Sequence, residues 1–283
     1  MISIERCPGR QADVNSYLLS DIENVIVVEL LRNSAEAEEL ADHVEATGKR
    51  LMEVFISHGH PDHYIGAGVI HRRFPDTPIK VASSEIRDDI VRFSVWMETV
   101  GWLDTGPHMK PRSDRNPLGF DYASLISALT EPFLSLPLEA SRIHVQYDYA
   151  PCECGHMSTM FIPEQRVFFA FDFLYNRVHA WCGPGVDKRA IQNWMESLDG
   201  IRQRTPTGGW TFYCGHGAEG DERLITAMKH YLQTFVAVTS ASETPNAALT
   251  KMKELVQEFA QDDFLLPHSV NFHVNETPLT AVT

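Results

Sequence analysis

At 283 residues, 43% of them apolar, the chain is long enough to bury one substantial core as a single domain. Its formal net charge of −14 disfavours a polyanionic partner and with it nucleic-acid processing. The opening stretch from Met1 to Asn15 has charges and a proline but no continuous apolar run, and the five cysteines are an odd number, so neither export nor a membrane span is expected and the thiols read as reduced, in a cytoplasmic protein.

Strand-like runs at 16–19 and 25–30 come first. A helix is predicted over 35–47, opened by Asn33 with Glu36 three residues on and stopped by Gly48. The apolar run Leu51 to Ser57 then reads as a buried strand. A short helix at 66–73 and a strand at 79–82 follow. Residues 83–140 suggest a helical insertion carrying Phe93, Trp96, Met97, Trp102, Phe120, Tyr122 and Phe133, either a satellite packing cluster or an aromatic lid for an organic substrate. Lys110, Arg112 and Arg115 within it read as a solvated loop. Further strands are expected at 143–149, 158–162, 167–171 and 210–214, with a helix at 188–202. A helical extension at 221–262 closes the pattern, apolar at Leu224, Ile225, Met228, Tyr231, Leu232 and Phe235 and continuing over 247–259. Residues 262–283 show no strong pattern and read as a loose tail or an arm over a partner subunit in a homo-oligomer.

The most informative residues follow the strand that ends at Ser57: His58-Gly59-His60-Pro61-Asp62-His63. Three imidazoles and a carboxylate in six positions are poor packing material and, as a solvated loop, would repel one another once protonated. Alternate residues of a tight turn can instead aim at one cavity and bind a metal ion, for which histidine is the commonest protein ligand.

This pattern after a hydrophobic strand resembles the signature of the metallo-β-lactamase fold superfamily. Asn15 to Leu19 resembles that family's first core strand, Phe168 to Asp172 its strand ending in a bridging aspartate, and Cys214-Gly215-His216-Gly217 its last metal-binding turn. Together these span about residues 12 to 220. The resemblance implies an α/β fold, a four-layer αββα sandwich of two mixed sheets with outer helices. It also implies two divalent metal ions, zinc first, with manganese or iron as alternatives.

On that resemblance His58 and His60 hold the first ion, Asp62 and His63 the second, Asp172 bridges both, and His216 completes the second site. A carboxylate buried behind Phe168-Phe169-Ala170-Phe171 is costly unless paired or metal-bound, which supports Asp172 independently. Phe171 stands where the family pattern has glycine. The third ligand of the first ion is open. Counting back from Asp172 without a gap selects Glu153, a deletion of about three residues selects His156, and an incomplete first site is the third option. Cys152 and Cys154 flank this region, and Cys214 lies two positions before His216, but a C-x-C pair is a weak ligand signal. Tyr175 and His179, three and seven positions after Asp172, resemble a family variant that orients substrate or stabilises an oxyanion.

The chemistry expected is hydrolysis. Metal binding lowers the pKa of water from ~15.7 to about 7, so hydroxide is available for attack while Asp62 or Asp172 orients it and takes its proton. With no G-x-S-x-G elbow, no covalent nucleophile is required. The expected substrate is a small organic ester, thioester, lactone or amide, apolar or aromatic in character, with no nucleic-acid or membrane partner. Alternatives are a mononuclear iron oxygenase of the same fold and a metal-binding sensor without turnover.

Overall fold

A computed structural model describes residues 1–101, 106–206 and 208–275. They form two compact units, one of residues 1–148 with 156–165 and one of 149–155 with 166–275. Trp102, singled out above, lies outside the described residues.

The first unit opens with β1 (Ser3–Pro8), β2 (Asn15–Ser20) and β3 (Asn24–Val28), followed by α1 (Ser34–Ala46) and β4 (Arg50–Ile56). The predicted cap is present: the Glu36 N–H donates to Asn33 Oδ1 at 2.9 Å, and Gly48 ends the helix at φ +65°. Two short helices, α2 (Pro61–Tyr64) and α3 (Ala67–Arg73), precede β5 (Ile79–Val81). The insertion then supplies α4 (Ser84–Val100), α5 (Tyr122–Leu125), β6 (Ile126–Ala128) and β7 (Phe133–Ser135). Strands β8 (Arg142–Gln146) and β9 (Thr159–Ile162) complete the unit.

Strands β1 to β6 make one sheet in sequence order, antiparallel from β1 to β3 and parallel from β3 to β6. β1, which the charged N-terminal stretch did not announce, is the edge strand, where one-sided burial tolerates charges and a terminal proline. Part of the insertion is ordinary core: Met97, Phe120 and Tyr122 are buried, whereas Phe93 and Trp96 are only half-buried.

The second unit contains β10 (Val167–Asn176), α6 (Lys188–Arg204), β11 (Thr211–Gly217), α7 (Arg223–Ala241), α8 (Pro245–Leu255) and α9 (Leu265–Asn275). β10 and β11 are parallel, whereas β7 to β9 of the first unit are antiparallel. Parallel and antiparallel strands accompanied by helices are what the fold class required. Helix α7 packs on β10, α6, α8 and α9 through Ile225, Met228, Tyr231, Leu232 and Phe235.

Residues 262–275 are not the patternless tail the sequence suggested. Pro267 falls in the first turn of α9, where a missing N–H costs nothing, so the helix forms and buries Leu265, Leu266, Ser269 and Val270. Among the described residues, no helix is long and apolar enough to cross a membrane. All five cysteines are free thiols, and burial pushes those of Cys7 and Cys152 up to about 12.

Candidate metal centre

In the first unit the donors sit in the turn that leaves β4. His58 and His63 are fully buried, and the ring of His58 lies 4.9 Å from that of His60 and 4.2 Å from that of His63. The turn is clamped from behind. Past β3 the backbone enters the left-handed region at Glu29 (φ +63°) and Leu31 (φ +64°), and the Leu30 N–H donates to the His63 carbonyl at 2.9 Å. A Cβ at Gly66 would run into the Leu30 carbonyl, so only glycine permits this approach.

Glu29 was not anticipated as a site residue, yet it organises this turn. Its carboxylate is fully buried, with Oε1 accepting from the Ser57 N–H at 2.8 Å and Oε2 lying 2.8 Å from His63 Nδ1. Burial pushes its pKa up against the opposing pull of the His63 imidazole and the Ser57 donors. His58 Nδ1 is engaged in the same way by Ser57 Oγ at 2.8 Å. With Nδ1 of both rings directed at protein oxygens, Nε2 is the atom each offers as a ligand, the usual arrangement in which an outer partner fixes ring orientation.

The second unit holds a buried carboxylate pair. Glu153 and Asp172 are each 1% exposed, and the Tyr175 hydroxyl lies 2.7 Å from Asp172 Oδ2 and 3.3 Å from Glu153 Oε1. A hydroxyl has one proton, so the shorter contact takes it and the second is weaker. The Tyr175 ring stacks on His216 at 4.6 Å and 5°, and His216 Nε2 lies 3.3 Å from Asp172 Oδ2. β10 does not end at Asp172 but bends there: Phe171 has φ +48°, and the register against β11 is broken on both sides of it. Removing only the hydroxyl, Tyr175→Phe, should weaken metal binding by roughly 10–100-fold while leaving the far-ultraviolet spectrum unchanged. A chelator-competition titration measures this, and unchanged affinity would leave Tyr175 a packing residue.

The first unit offers His58, His60, Asp62 and His63 as metal donors, and the second offers Glu153, Asp172 and His216. The chemistry fits: nitrogen and carboxylate oxygen from largely buried side chains suit zinc, manganese or iron, and among the described residues no cysteine is one of these candidates. Residues 9–87 match the family model described as the metallo-beta-lactamase superfamily. Solved structures similar in fold include the metallo-beta-lactamase from Pontibacter korlensis, at 14% identity and TM-score 0.56 over 82% of this chain and 94% of that one. They also include VMB-1 (14%, TM-score 0.55, 83% and 92%) and the DIM-1 metallo-beta-lactamase (15%, TM-score 0.54, 82% and 93%). The fold is that of the metallo-beta-lactamase superfamily. A comparison with curated proteins returned no match.

Within this metallo-beta-lactamase fold, the two candidates for the open ligand position differ in surroundings. Glu153 is buried beside Asp172 and Tyr175. His156 is exposed, and its Nδ1 is 2.8 Å from Asp89 Oδ2 on α4. The turn at 152–154, which carries Glu153, is closed by the Cys152 N–H to the Cys154 carbonyl at 3.0 Å. The Tyr175 hydroxyl is engaged by the two carboxylates.

His179 is buried, its Nδ1 shares a hydrogen bond with the Tyr231 hydroxyl at 3.1 Å, and its ring lies 5.6 Å from that of Phe259. Burial pushes its pKa down to about 4. The unfolded chain takes up a proton as pH falls through about 6.5, the folded chain only near 4, so this stability is intact above 6.5 and declines as pH drops between the two. His179→Gln should flatten that decline when urea midpoints are compared at pH 7 and pH 4.5. Parallel slopes would contradict the assignment.

Proposed function

We propose that this protein is a metal-dependent hydrolase of a small organic ester, thioester, lactone or amide, holding two divalent ions, with zinc the first choice. The observation that supports the reading is the supply of buried donors in each unit, His58 and His63 in the first and Glu153, Asp172 and His216 in the second, and we assign the ligands of the two ions as His58, His60, Glu153, Asp172 and Asp62, His63, His216. Divalent ions bound there would polarise an electrophilic oxygen and acidify a water. The remaining tasks fall to the chain. Asp172 is 1% exposed and engaged by Tyr175, whereas the Asp62 side chain is 14% exposed, so Asp62 is the carboxylate that solvent can reach. We assign it the orientation of the attacking water and acceptance of its proton. Glu29 and Ser57 hold the imidazoles that flank it.

Metal content decides the ligand assignment. Glu153→Ala should leave one site empty or at least 10-fold weaker, while His156→Ala should retain wild-type stoichiometry; the reverse pattern would return the position to His156. Activity is then measured on metal-loaded protein across ester, thioester, lactone and amide panels. Bound metal with no hydrolysis of any member would reject turnover and favour a sensor.

One observation favours a second reading. Assigned to one ion, His58, His60 and Glu153 would make a two-histidine, one-carboxylate set, which suits non-haem iron. A single iron per chain with oxygen consumption would replace the hydrolase by an oxygenase of the same fold.

A further inference from the structure

Helix α4 presents two different faces. Ile86, Ile90, Ser94 and Met97 form its buried stripe, and the Ser94 hydroxyl donates to the Tyr64 hydroxyl at 3.0 Å. Beside that stripe, Asp89, Phe93 and Trp96 recur at i, i+4 and i+7 and so share a second face. This face begins at the donor turn: a Cβ placed on Gly59 would meet Asp89 Cβ at 3.0 Å, and the Phe93 ring lies 6.3 Å from that of His60. Phe93 and Trp96 then stack on each other at 5.2 Å and 8°. Neither ring is buried in the core, and Val95 and Val100 on the same helix are 54% and 44% exposed.

Parallel rings left half in solvent next to a candidate metal ligand make poor packing but a good platform, since a flat π-system can extend the stack. Resting on the hydrolase reading, we propose that Phe93 and Trp96 form a recognition shelf that selects aromatic carboxylic acid derivatives, with the ring of the acyl group laid on the shelf and its carbonyl directed toward His60. The shelf reads planarity, so a saturated ring of equal size is a poorer ligand. Asp89, paired with His156 at 2.8 Å and with Arg92 at 2.6 Å, fixes the helix end that positions it.

The test uses phenylacetyl and cyclohexylacetyl thioesters of one small thiol, which share a carbonyl and a leaving group and differ in aromaticity. Wild type should prefer the phenylacetyl substrate in kcat/KM, and Phe93→Leu and Trp96→Leu, which keep apolar volume at half-buried positions, should each reduce that preference by roughly 3–10-fold, the size of an aromatic stacking contribution. Equal rates on the two substrates in wild type, or a preference untouched by both variants, would overturn the shelf even though hydrolysis stands. A second readout is independent of turnover: phenylacetate should quench tryptophan fluorescence more tightly than cyclohexylacetate, and Trp96→Leu should remove most of the difference. If neither thioester nor any other panel member is hydrolysed, the hydrolase reading fails, and this titration alone decides whether the aromatic shelf exists.

Discussion

Replacing Gly215 with alanine is expected to lower both metal retention and thermal stability, the largest effect anticipated from adding a single methyl group. An added Cβ would overlap Asp172 Oδ1, approach Asp172 Cγ to 2.9 Å and reach 3.0 Å from its backbone nitrogen. The backbone has little room to yield, because β10 and β11 are registered here with Phe171 opposite Cys214. The carboxylate must therefore swing away from Tyr175 and His216, or the strands must part. Overpacking of this kind costs about 1–3 kcal/mol, which in a chain of this size corresponds to roughly 2–4 °C per kcal/mol. Elemental analysis of the purified variant with a melting curve checks both halves, and wild-type metal content at an unchanged Tm would refute the tight approach.

Glu29 offers the second large effect, and two substitutions dissect it. Glu29→Ala leaves the Ser57 N–H and His63 Nδ1 facing a void at a fully buried position, and breaking a buried pair in this way costs about 3–5 kcal/mol. Glu29→Gln keeps the volume and one acceptor. If its oxygen serves Ser57, its amide donates to His63 Nδ1, and the ring proton then sits on Nε2, the atom required for coordination. Glu29→Gln should therefore be much more stable than Glu29→Ala yet bind metal roughly 10–100-fold more weakly than wild type. Urea denaturation with chelator competition separates stability from affinity. A glutamine variant that binds both ions as tightly as the native protein would remove Glu29 from the site.

The contrast between Glu29 and His58 shows where sequence reasoning ends. His58, His60, Asp62 and His63 are adjacent in the chain, so their convergence is a local property that spacing reveals. Glu29 reads as the charged end of an apolar run, and its role exists only because β3 and β4 pair in parallel and bring it beside Ser57 and His63. Glu153 and His156 are both plausible in the sequence because residue type and register argue in opposite directions, and their burial, the first buried and the second exposed, is a property of the turn that a C-x-C pair does not announce. Periodicity located α1, α6 and α7 well, since each has a continuous apolar stripe and the first two carry polar caps. It missed α9, where a proline reads as a helix breaker unless its place in the first turn is known.

The backbone at Phe171 makes this centre hard to improve one substitution at a time. Glycine there would relax a left-handed torsion of about 1–3 kcal/mol, but it would also vacate a ring that is fully buried, a loss of about 3–5 kcal/mol. The sequence thus occupies a local optimum at the residue that aims Asp172. Thermostabilising this strand becomes an epistatic problem, in which relief at 171 has value only when a neighbour such as Phe169, whose ring lies 6.1 Å away, grows to fill the vacated volume.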